Sequence, residues 1–298
     1  MLRQAENNVK IEGILSEINL EESSYNDSNN VKHDIIKGSI TVKVDKEILG
    51  KMQTLYIPVH VYADKHTRKG TVNPAYESAK RIMDSYVSIA ASDETRADKI
   101  RIERANITMN EYWGQNGQIV SFPRIRASFF KKVTSDFKPE ASFSAEFVIA
   151  SKYDEVDTQG EPTGRLIVKG VLPQYGGKVD VVNFIVENAN AIDYINMNWA
   201  ENETVSAHGR LFFSQKTETT LVEVDFGEPV EESKTIKVSD LIITGSKSAM
   251  NDALAYDITE IQEALSVRTA ELEKKKEKDM SKTRQAQAPA ASSLNLGF

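Results

Sequence analysis

The sequence predicts a mainly β protein with some α-helix, built as two tandem antiparallel barrels plus a C-terminal helix and a disordered tail. Most apolar residues occur in short runs that alternate with polar residues, which is the period of a half-buried strand. These runs fall into two groups, and each group is interrupted by one segment with helical spacing. We therefore expect domains over residues 1–140 and 141–245, followed by a C-terminal region over residues 246–298.

The first group predicts strands, one helix and a closing hairpin. Asn73 and Pro74 are suited to begin a helix that runs to about residue 90. Asn116-Gly117 lies between two extended runs and is a typical signal for a tight hairpin. The strands are predicted over residues 9–20, 37–44, 55–62, 99–113 and 118–133, with a polar loop over 21–30. This element order favours an OB-like barrel with an inserted helix.

The second group has the element order of another OB-like barrel, because one helix, over residues 189–199, separates its third and fourth strands. Its strands are predicted over residues 143–157, 164–172, 179–186, 204–213 and 219–226. A further strand over residues 236–244 is expected to pack against one barrel. An amphipathic helix over residues 251–277 follows, and the Ala-, Ser- and Gln-rich segment after it predicts disorder.

Composition excludes several protein classes. The chain of 298 residues has no cysteine, which excludes disulfides and thiolate metal sites and fits a reducing cytoplasm. The first residues contain no apolar signal-peptide core, and no apolar run is long enough to span a membrane. We therefore expect a cytoplasmic protein.

Charge is segregated along the chain, although the net charge is −7. Residues 96–138 carry nine lysines and arginines against four acids, whereas residues 201–240 carry nine acids against four cations. A face that contacts phosphates needs only local positive charge. The basic segment is therefore where a nucleic-acid site is expected.

The main candidate site is the strand that ends the first group. Alternation places aromatic and cationic side chains on one face, and two further aromatic residues lie near the hairpin tip. The candidates are Phe122, Arg124, Arg126, Phe130 and Lys132, with Tyr112 and Trp113 at the tip. Rings that stack bases and cations that neutralise phosphates characterise single-strand binding surfaces. The alternative is an amphipathic hairpin without a ligand, and Trp113 shares the parity of Ile107, which favours a core position.

Three further sets are weaker candidates. In the second barrel they are Tyr175, Lys178, Arg210 and Phe212. In the loop before the first helix they are Lys65, Arg68 and Lys69, although a solvated charged loop explains these residues equally well. Leu294, Leu296 and Phe298 form a small apolar tip that either docks a protein partner or is an unstructured end.

No arrangement of residues indicates catalysis. The histidines at positions 33, 60, 66 and 208 lack metal-ligand spacing, and no nucleophile elbow or phosphate-binding glycine loop is present in the sequence. We expect a protein that is not an enzyme and that uses no cofactor or metal.

The run GRLIVKGVLPQYGGKVDVVNFIV, a short helix, and then ENETVSAHGRLFFS resemble the pattern of OB-fold single-stranded DNA-binding proteins. The chain as a whole is similar to proteins encoded by bacteriophages of Gram-positive hosts. The resemblance implies sequence-tolerant binding and protection of single-stranded DNA during phage DNA replication or recombination, in the bacterial host cytoplasm. It also implies replication or recombination proteins as partners of the tail.

Two departures from this family pattern matter. The last seven residues carry no acid, unlike the acidic tip of bacterial single-stranded DNA-binding proteins, so the resemblance does not extend to the segment that docks the usual partners. The chain is also longer than a one-barrel protein, so a dimer or a monomer could replace the common tetramer.

A second function class also fits the sequence. The acidic net charge, the aromatic residues and the C-terminal helix with its tail are compatible with a virion or assembly component, or with an inhibitor that binds a host protein.

Overall fold

The computed structural model describes residues 2–114, 117–157, 159–222, 230–247 and 254–286. Over these residues the chain is mainly β with three α-helices, the last of them C-terminal, so the predicted class is confirmed. The strands are β1 Asn7–Asn26, β2 Lys32–Ile48, β3 Lys51–Asp64, β4 Lys99–Trp113, β5 Ile119–Ala127, β6 Lys131–Lys132, β7 Glu140–Val156, β8 Pro162–Pro173, β9 Val179–Val186, β10 Thr204–Val222 and β11 Val230–Ser246. The helices are α1 Pro74–Ser85, α2 Ala189–Asn198 and α3 Ile258–Ala286, and a 3-10 turn spans Tyr175–Gly177.

Strands β1 to β5 close a first ring. β1, β2 and β3 pair antiparallel in chain order, β5 pairs with β4, and β4 returns to β1. The ring closes through a short parallel contact in which Val59 and His60 of β3 pair with Ile125 and Arg126 of β5. α1, capped by the Asn73 side chain as predicted, connects β3 to β4.

Strands β7 to β11 close a second ring with the same order. β7, β8 and β9 pair antiparallel, β11 pairs with β10, and β10 returns to β7. Ile185 of β9 and Ile242 of β11 make the parallel contact. α2 connects β9 to β10, which is the position that α1 has in the first ring.

The two rings share one sheet and one core. Asn7–Glu12 of β1 pairs antiparallel with Glu140–Ala145 of β7, so the first strand of each ring joins the two. The Asn7 side chain is buried at this junction, where it donates to the carbonyl oxygen of Ile107 and accepts from the Ile107 amide. The buried apolar residues of both rings form one continuous cluster.

α3 packs across both rings. Its Arg268 pairs with Glu111 of β4, and its Glu271 pairs with Lys178 of the second ring at 3.3 Å. The Trp113 indole N–H donates to the carbonyl oxygen of Leu272 at 2.9 Å. The C-terminal helix therefore braces the end of the β4–β5 hairpin against the second ring.

Several predicted boundaries are wrong. The polar segment after residue 20 continues β1, because residues up to Asn26 pair with β2. α1 ends at Ser85, five residues before the predicted end, and α3 begins at Ile258, later than predicted. β5 ends at Ala127, although the alternating pattern predicted a strand to residue 133.

The fifth strand of the second ring was also assigned wrongly. The described part of the strand predicted over residues 219–226 continues β10, whereas the extra strand predicted over 236–244 is β11, which completes the ring. The hairpin-tip residue Asn116 and the tail beyond residue 286 lie outside the described residues. No helix in the described part of the chain has the length and apolar character needed to cross a membrane.

Candidate nucleic-acid interface

The outer face of the first ring carries the predicted cations and several aromatic rings. β3 alternates strictly, with Leu55, Ile57, Val59 and Val61 buried inside the ring and Tyr56, His60 and Tyr62 outside. β5 alternates in the same way, with Ile125 and Ala127 buried and Phe122, Arg124 and Arg126 outside. Because β3 and β5 are neighbours, their outward side chains form one surface.

A shallow groove of about 440 Å³ crosses this surface, and we call it the cationic groove. Its lining residues are Lys37, Gly38, Ser39, His60, Val61, Tyr62, Arg124 and Arg126. The Arg124 Nε atom is buried and has no hydrogen-bond partner, and neither Arg124 nor Arg126 forms an ion pair with a described residue. Two guanidinium groups are thus held close together without a carboxylate to neutralise them.

The pKa of His60 reflects the positive potential of the cationic groove. Burial, followed by the charges of Arg124 and Arg126, lowers the pKa of His60 to about 4. The imidazole is therefore neutral near pH 7, because protonation would place a third cation beside two others. An anion bound between these groups would relieve the repulsion.

Tyr62 lines the groove, and further aromatic rings lie on the outer surface of the first ring. Phe122 and Tyr112 are 37% and 43% exposed and meet edge to face, with ring centroids 6.3 Å apart at 82°. Tyr56 and Tyr62 of β3 are also exposed. At the end of the β1–β2 hairpin, Tyr25 stacks on His33 with centroids 5.1 Å apart, and its hydroxyl donates to Asp64.

The predicted position of Phe130 on this face is wrong. Phe130 is 4% exposed and belongs to the core, whereas its neighbour Phe129 is 55% exposed. The alternation fails because β5 ends at Ala127, and a bend turns the chain so that the Phe130 N–H donates to the Ser78 hydroxyl of α1. Lys132 is exposed, but it pairs with Asp98 at 2.6 Å and does not share the groove.

Trp113 occupies an intermediate position. Trp113 lies on the same face of β4 as Ile107, as the sequence predicts. Near the hairpin tip, however, that face of β4 contacts α3. The indole donates to Leu272, and the Lys276 ammonium lies 4.4 Å from the ring centroid. Trp113 is therefore half-buried under the helix, while Tyr112 faces away from it.

The cations predicted in the second ring are engaged by carboxylates. Arg210 pairs with Glu187 at 2.5 Å, and Lys178 pairs with Glu271 of α3. Phe212 packs against the core from a half-buried position. Tyr175 is 78% exposed on the 3-10 turn and does not line the cationic groove.

The remaining candidates lie elsewhere. Lys65 pairs with Asp34 at 3.3 Å, whereas Arg68 and Lys69 are exposed in the turn before α1. Leu294, Leu296 and Phe298 lie outside the described residues. Among the described residues, no group of three His, Asp or Glu side chains is arranged to hold a metal ion.

The contribution of β3 to the site was not predicted from the sequence. The run LYIPVHVY contains the signal, because its apolar positions alternate with Tyr56, His60 and Tyr62. The pairing of β3 with β5 could not be read from the sequence, and that pairing places His60 beside Arg126.

Comparisons with known proteins give one family and a set of distant structures. The family model named YorF matches residues 5–278 of the chain. No curated protein matches this chain.

Among solved structures, the wild-type single-stranded DNA binding protein from Thermus aquaticus aligns with a TM-score of 0.48 and 11% identity, covering 84% of this chain and 95% of that one. A deletion mutant of the same protein aligns with a TM-score of 0.46 and 12% identity, covering 84% and 97%. At this level, likeness does not indicate what the chain binds.

Proposed function

We propose that this chain, which belongs to the YorF family, binds single-stranded DNA in a sequence-tolerant manner on the outer face of its first ring. The observation that carries the proposal is the cationic groove, in which Arg124 and Arg126 lie side by side without carboxylate partners and next to exposed aromatic rings.

The two kinds of side chain would act on different parts of the ligand. The guanidinium groups of Arg124 and Arg126 would neutralise backbone phosphates, and each neutralised phosphate adds about 0.7 to the slope of log affinity against log salt. Phe122 and Tyr112 offer ring surface for bases, and stacking is worth about 1–3 kcal/mol per base. Neither interaction reads base edges, so we propose binding that tolerates any sequence.

The strand order supports an OB-like barrel for each ring. Both rings have the order first-second-third-fifth-fourth, and both have a helix between the third and fourth strands. OB folds use the face of strands 2 and 3 with nearby loops to bind oligonucleotides. The cationic groove includes residues of β2 and β3, as expected for that face.

The wider biological role is also part of this proposal. It comprises protection of DNA during phage replication or recombination in the bacterial host cytoplasm, without catalysis, and recruitment of protein partners through the tail. The resemblance of residues 164–214 to single-stranded DNA-binding proteins motivates it.

A titration of fluorescently labelled oligo-dT at two salt concentrations tests the proposal. We expect binding at micromolar protein or below at low salt, and weaker binding at high salt. Absence of binding at low salt would reject the proposal. A protein partner recovered from a nuclease-treated bacterial lysate, together with no oligonucleotide binding, would favour a virion component or an inhibitor of a host protein.

A further inference from the structure

A second positively charged depression lies where the two rings meet. It has a volume of about 710 Å³, and we call it the junction cleft. Its lining residues are Asn7, Asn8, Lys10, Ile11, Glu12, Arg101, Ile102, Glu103, Arg104, Ala105, Asn106, Lys138 and Glu140. They come from β1, β4 and the segment that enters β7.

A shift in strand register builds the cleft. Val9 pairs with Ala105, but Ile11 pairs with Ile102, so β4 has one residue more than β1 between these pairs. Glu103 and Arg104 consequently both point to solvent, opposite Lys10. Such bulges re-aim side chains and recur next to binding sites.

Two of the three carboxylates that line the cleft are engaged by cations. The third, Glu140, accepts a hydrogen bond from the Ser142 hydroxyl at 2.6 Å and forms no ion pair with a described residue. Glu12 accepts two hydrogen bonds from the Arg101 guanidinium and one from the Lys138 backbone N–H. Burial opposes the charge of Glu12, but these hydrogen bonds outweigh it and hold its pKa below the usual range. Glu103 pairs with Lys131 at 2.8 Å.

The side chains of three cations of the cleft make no direct contact with a carboxylate in the described part of the chain, although the charges of Lys138 and Arg104 help to lower the pKa of Glu12 and of Glu103. Lys10, Arg104 and Lys138 form no ion pair with any residue in the described part of the chain. Lys10 and Arg104 face each other across the β1–β4 ladder, and Lys138 lies beside Glu12 on the approach to β7. The lining carries four cations against three carboxylates, so the cleft has a small excess of positive charge, and three of its cations are free of ion pairs with described residues.

The junction cleft lies on the same outer surface as the cationic groove. His60 pairs with Arg126, and Arg126 pairs with Asn106, so these three residues form a row across β3, β5 and β4. Arg104 is two residues from Asn106 on β4 and on the same outer surface. Strand spacing and rise place Arg104 on the order of 10 Å from Arg126.

We propose that the junction cleft binds the phosphodiester backbone of the same nucleic-acid strand after it leaves the cationic groove. This inference rests on the proposed function and extends it, because it assigns the path of the strand from the first ring toward the second. The cleft has no aromatic lining residue, so it would contribute phosphate neutralisation and length dependence, with no stacking.

The test compares short and long oligonucleotides. A Lys10→Gln/Arg104→Gln/Lys138→Gln variant and the wild-type chain are titrated with oligo-dT of about 8 and about 30 nucleotides. The first length lies within the site size of a single OB fold, roughly 4–16 nucleotides, and the second lies well beyond it. We expect affinity for the long oligonucleotide to fall about tenfold and its salt slope to decrease by about 2, while binding of the short one is unchanged.

Control variants distinguish a specific effect of the junction cleft from a general loss of positive charge or a loss of folding. An Arg81→Gln/Lys51→Gln/Lys237→Gln variant removes three other exposed cations and is expected to bind both lengths as the wild type does. An Arg104→Glu variant reverses one charge and should weaken only long-oligonucleotide binding. Circular dichroism and thermal melts establish that each variant is folded.

The outcomes are distinguishable. If the wild type binds both lengths and the cleft variant equals it in affinity and salt slope, the cleft proposal is overturned and the proposed function stands. If the wild type binds neither length, the proposed function fails and the cleft proposal falls with it.

Discussion

His60 and Arg126 are neighbours across the parallel ladder between β3 and β5, on the outer face of the first ring. With Arg124 close by, burial and the two guanidinium groups keep the imidazole neutral and its pKa at about 4. Lys37 and Tyr62 are the other ionisable residues that line the groove around it. This arrangement makes His60 a sensor of the charge that occupies the groove.

The first prediction concerns the pH dependence of binding. A bound phosphate would favour the imidazolium and raise the His60 pKa above its free value of about 4. Binding then takes up a proton, so affinity for oligo-dT should increase as pH falls from 7 toward that raised pKa. Titrations at constant ionic strength between about pH 5 and about pH 8 measure this, because they cover about 1.5 pH units on either side of the unperturbed histidine pKa.

A His60→Gln variant is the matched control for this prediction, because it keeps a polar side chain without a titration in this range. Its affinity should change less with pH than that of the wild type. Identical pH profiles for the two proteins would show that no anion binds beside His60.

The second prediction concerns the stability of the free chain. The folded-state pKa of His60, about 4, lies below the value of 6.5 for the unperturbed side chain. As pH falls, the unfolded chain is protonated at this histidine before the folded chain is. The contribution of His60 therefore lowers the free energy of unfolding as pH falls from 6.5 to 4. Urea unfolding should show a steeper loss of stability over this range for the wild type than for His60→Gln, and equal slopes would contradict the assignment.

The third prediction separates stacking from charge. Phe122→Ala and Tyr112→Ala should each weaken oligo-dT binding by about 1–3 kcal/mol, because each removes an exposed ring that can stack on a base. The salt slope should stay as in the wild type, since no phosphate contact is lost. A changed slope with unchanged low-salt affinity would assign these rings a different role.

The fourth prediction uses two adjacent phenylalanines. Phe130→Ala should destabilise the fold by about 3–5 kcal/mol, because the ring is buried in the apolar core. Phe129→Ala is the matched control, and its exposed ring should matter much less. Chemical unfolding of both variants measures the difference, and equal destabilisation would show that Phe130 has no special place in the core.

The fifth prediction concerns the contact between α3 and the β4–β5 hairpin. Trp113→Phe keeps an aromatic ring at this position but removes the indole N–H that donates to the Leu272 carbonyl oxygen, so it should weaken the attachment of α3 by about 1 kcal/mol. Hydrogen exchange of α3 amides should be faster in this variant, whereas Tyr112→Phe, on the opposite face, should leave it unchanged. Protection equal to the wild type in Trp113→Phe would mean that the bond does not hold the helix.

Local sequence patterns predicted the strands and the class of fold. They failed where contacts with residues distant in sequence determine which side chains are buried. The alternation of buried and exposed residues in β5 was read correctly as far as Ala127, and α1 began at its predicted cap. Phe130 was placed on the wrong face because the strand ends where α1 offers a partner, the Ser78 hydroxyl. Trp113 lies on the core-facing side of its strand, but the residue that it contacts there, Leu272 of α3, is 159 residues away in the sequence.

Only some residues of the candidate site could be predicted from the sequence. Arg124 and Arg126 were found from their alternation with apolar residues. His60 was not, because only the closure of the ring between β3 and β5 brings it beside Arg126. Arg210 looked equivalent to the groove cations in sequence, but Glu187 neutralises it, and such pairing depends on the register of strands far apart in the chain.

The most direct test of the central claim is the salt dependence of oligo-dT binding by Arg124→Gln/Arg126→Gln, compared with the wild type and with Arg81→Gln/Lys237→Gln as a charge-matched control. We predict weaker binding to all sequences alike and a log–log slope reduced by about 1.4, since two phosphate contacts are lost. Wild-type affinity and slope in a folded Arg124→Gln/Arg126→Gln variant would contradict the account.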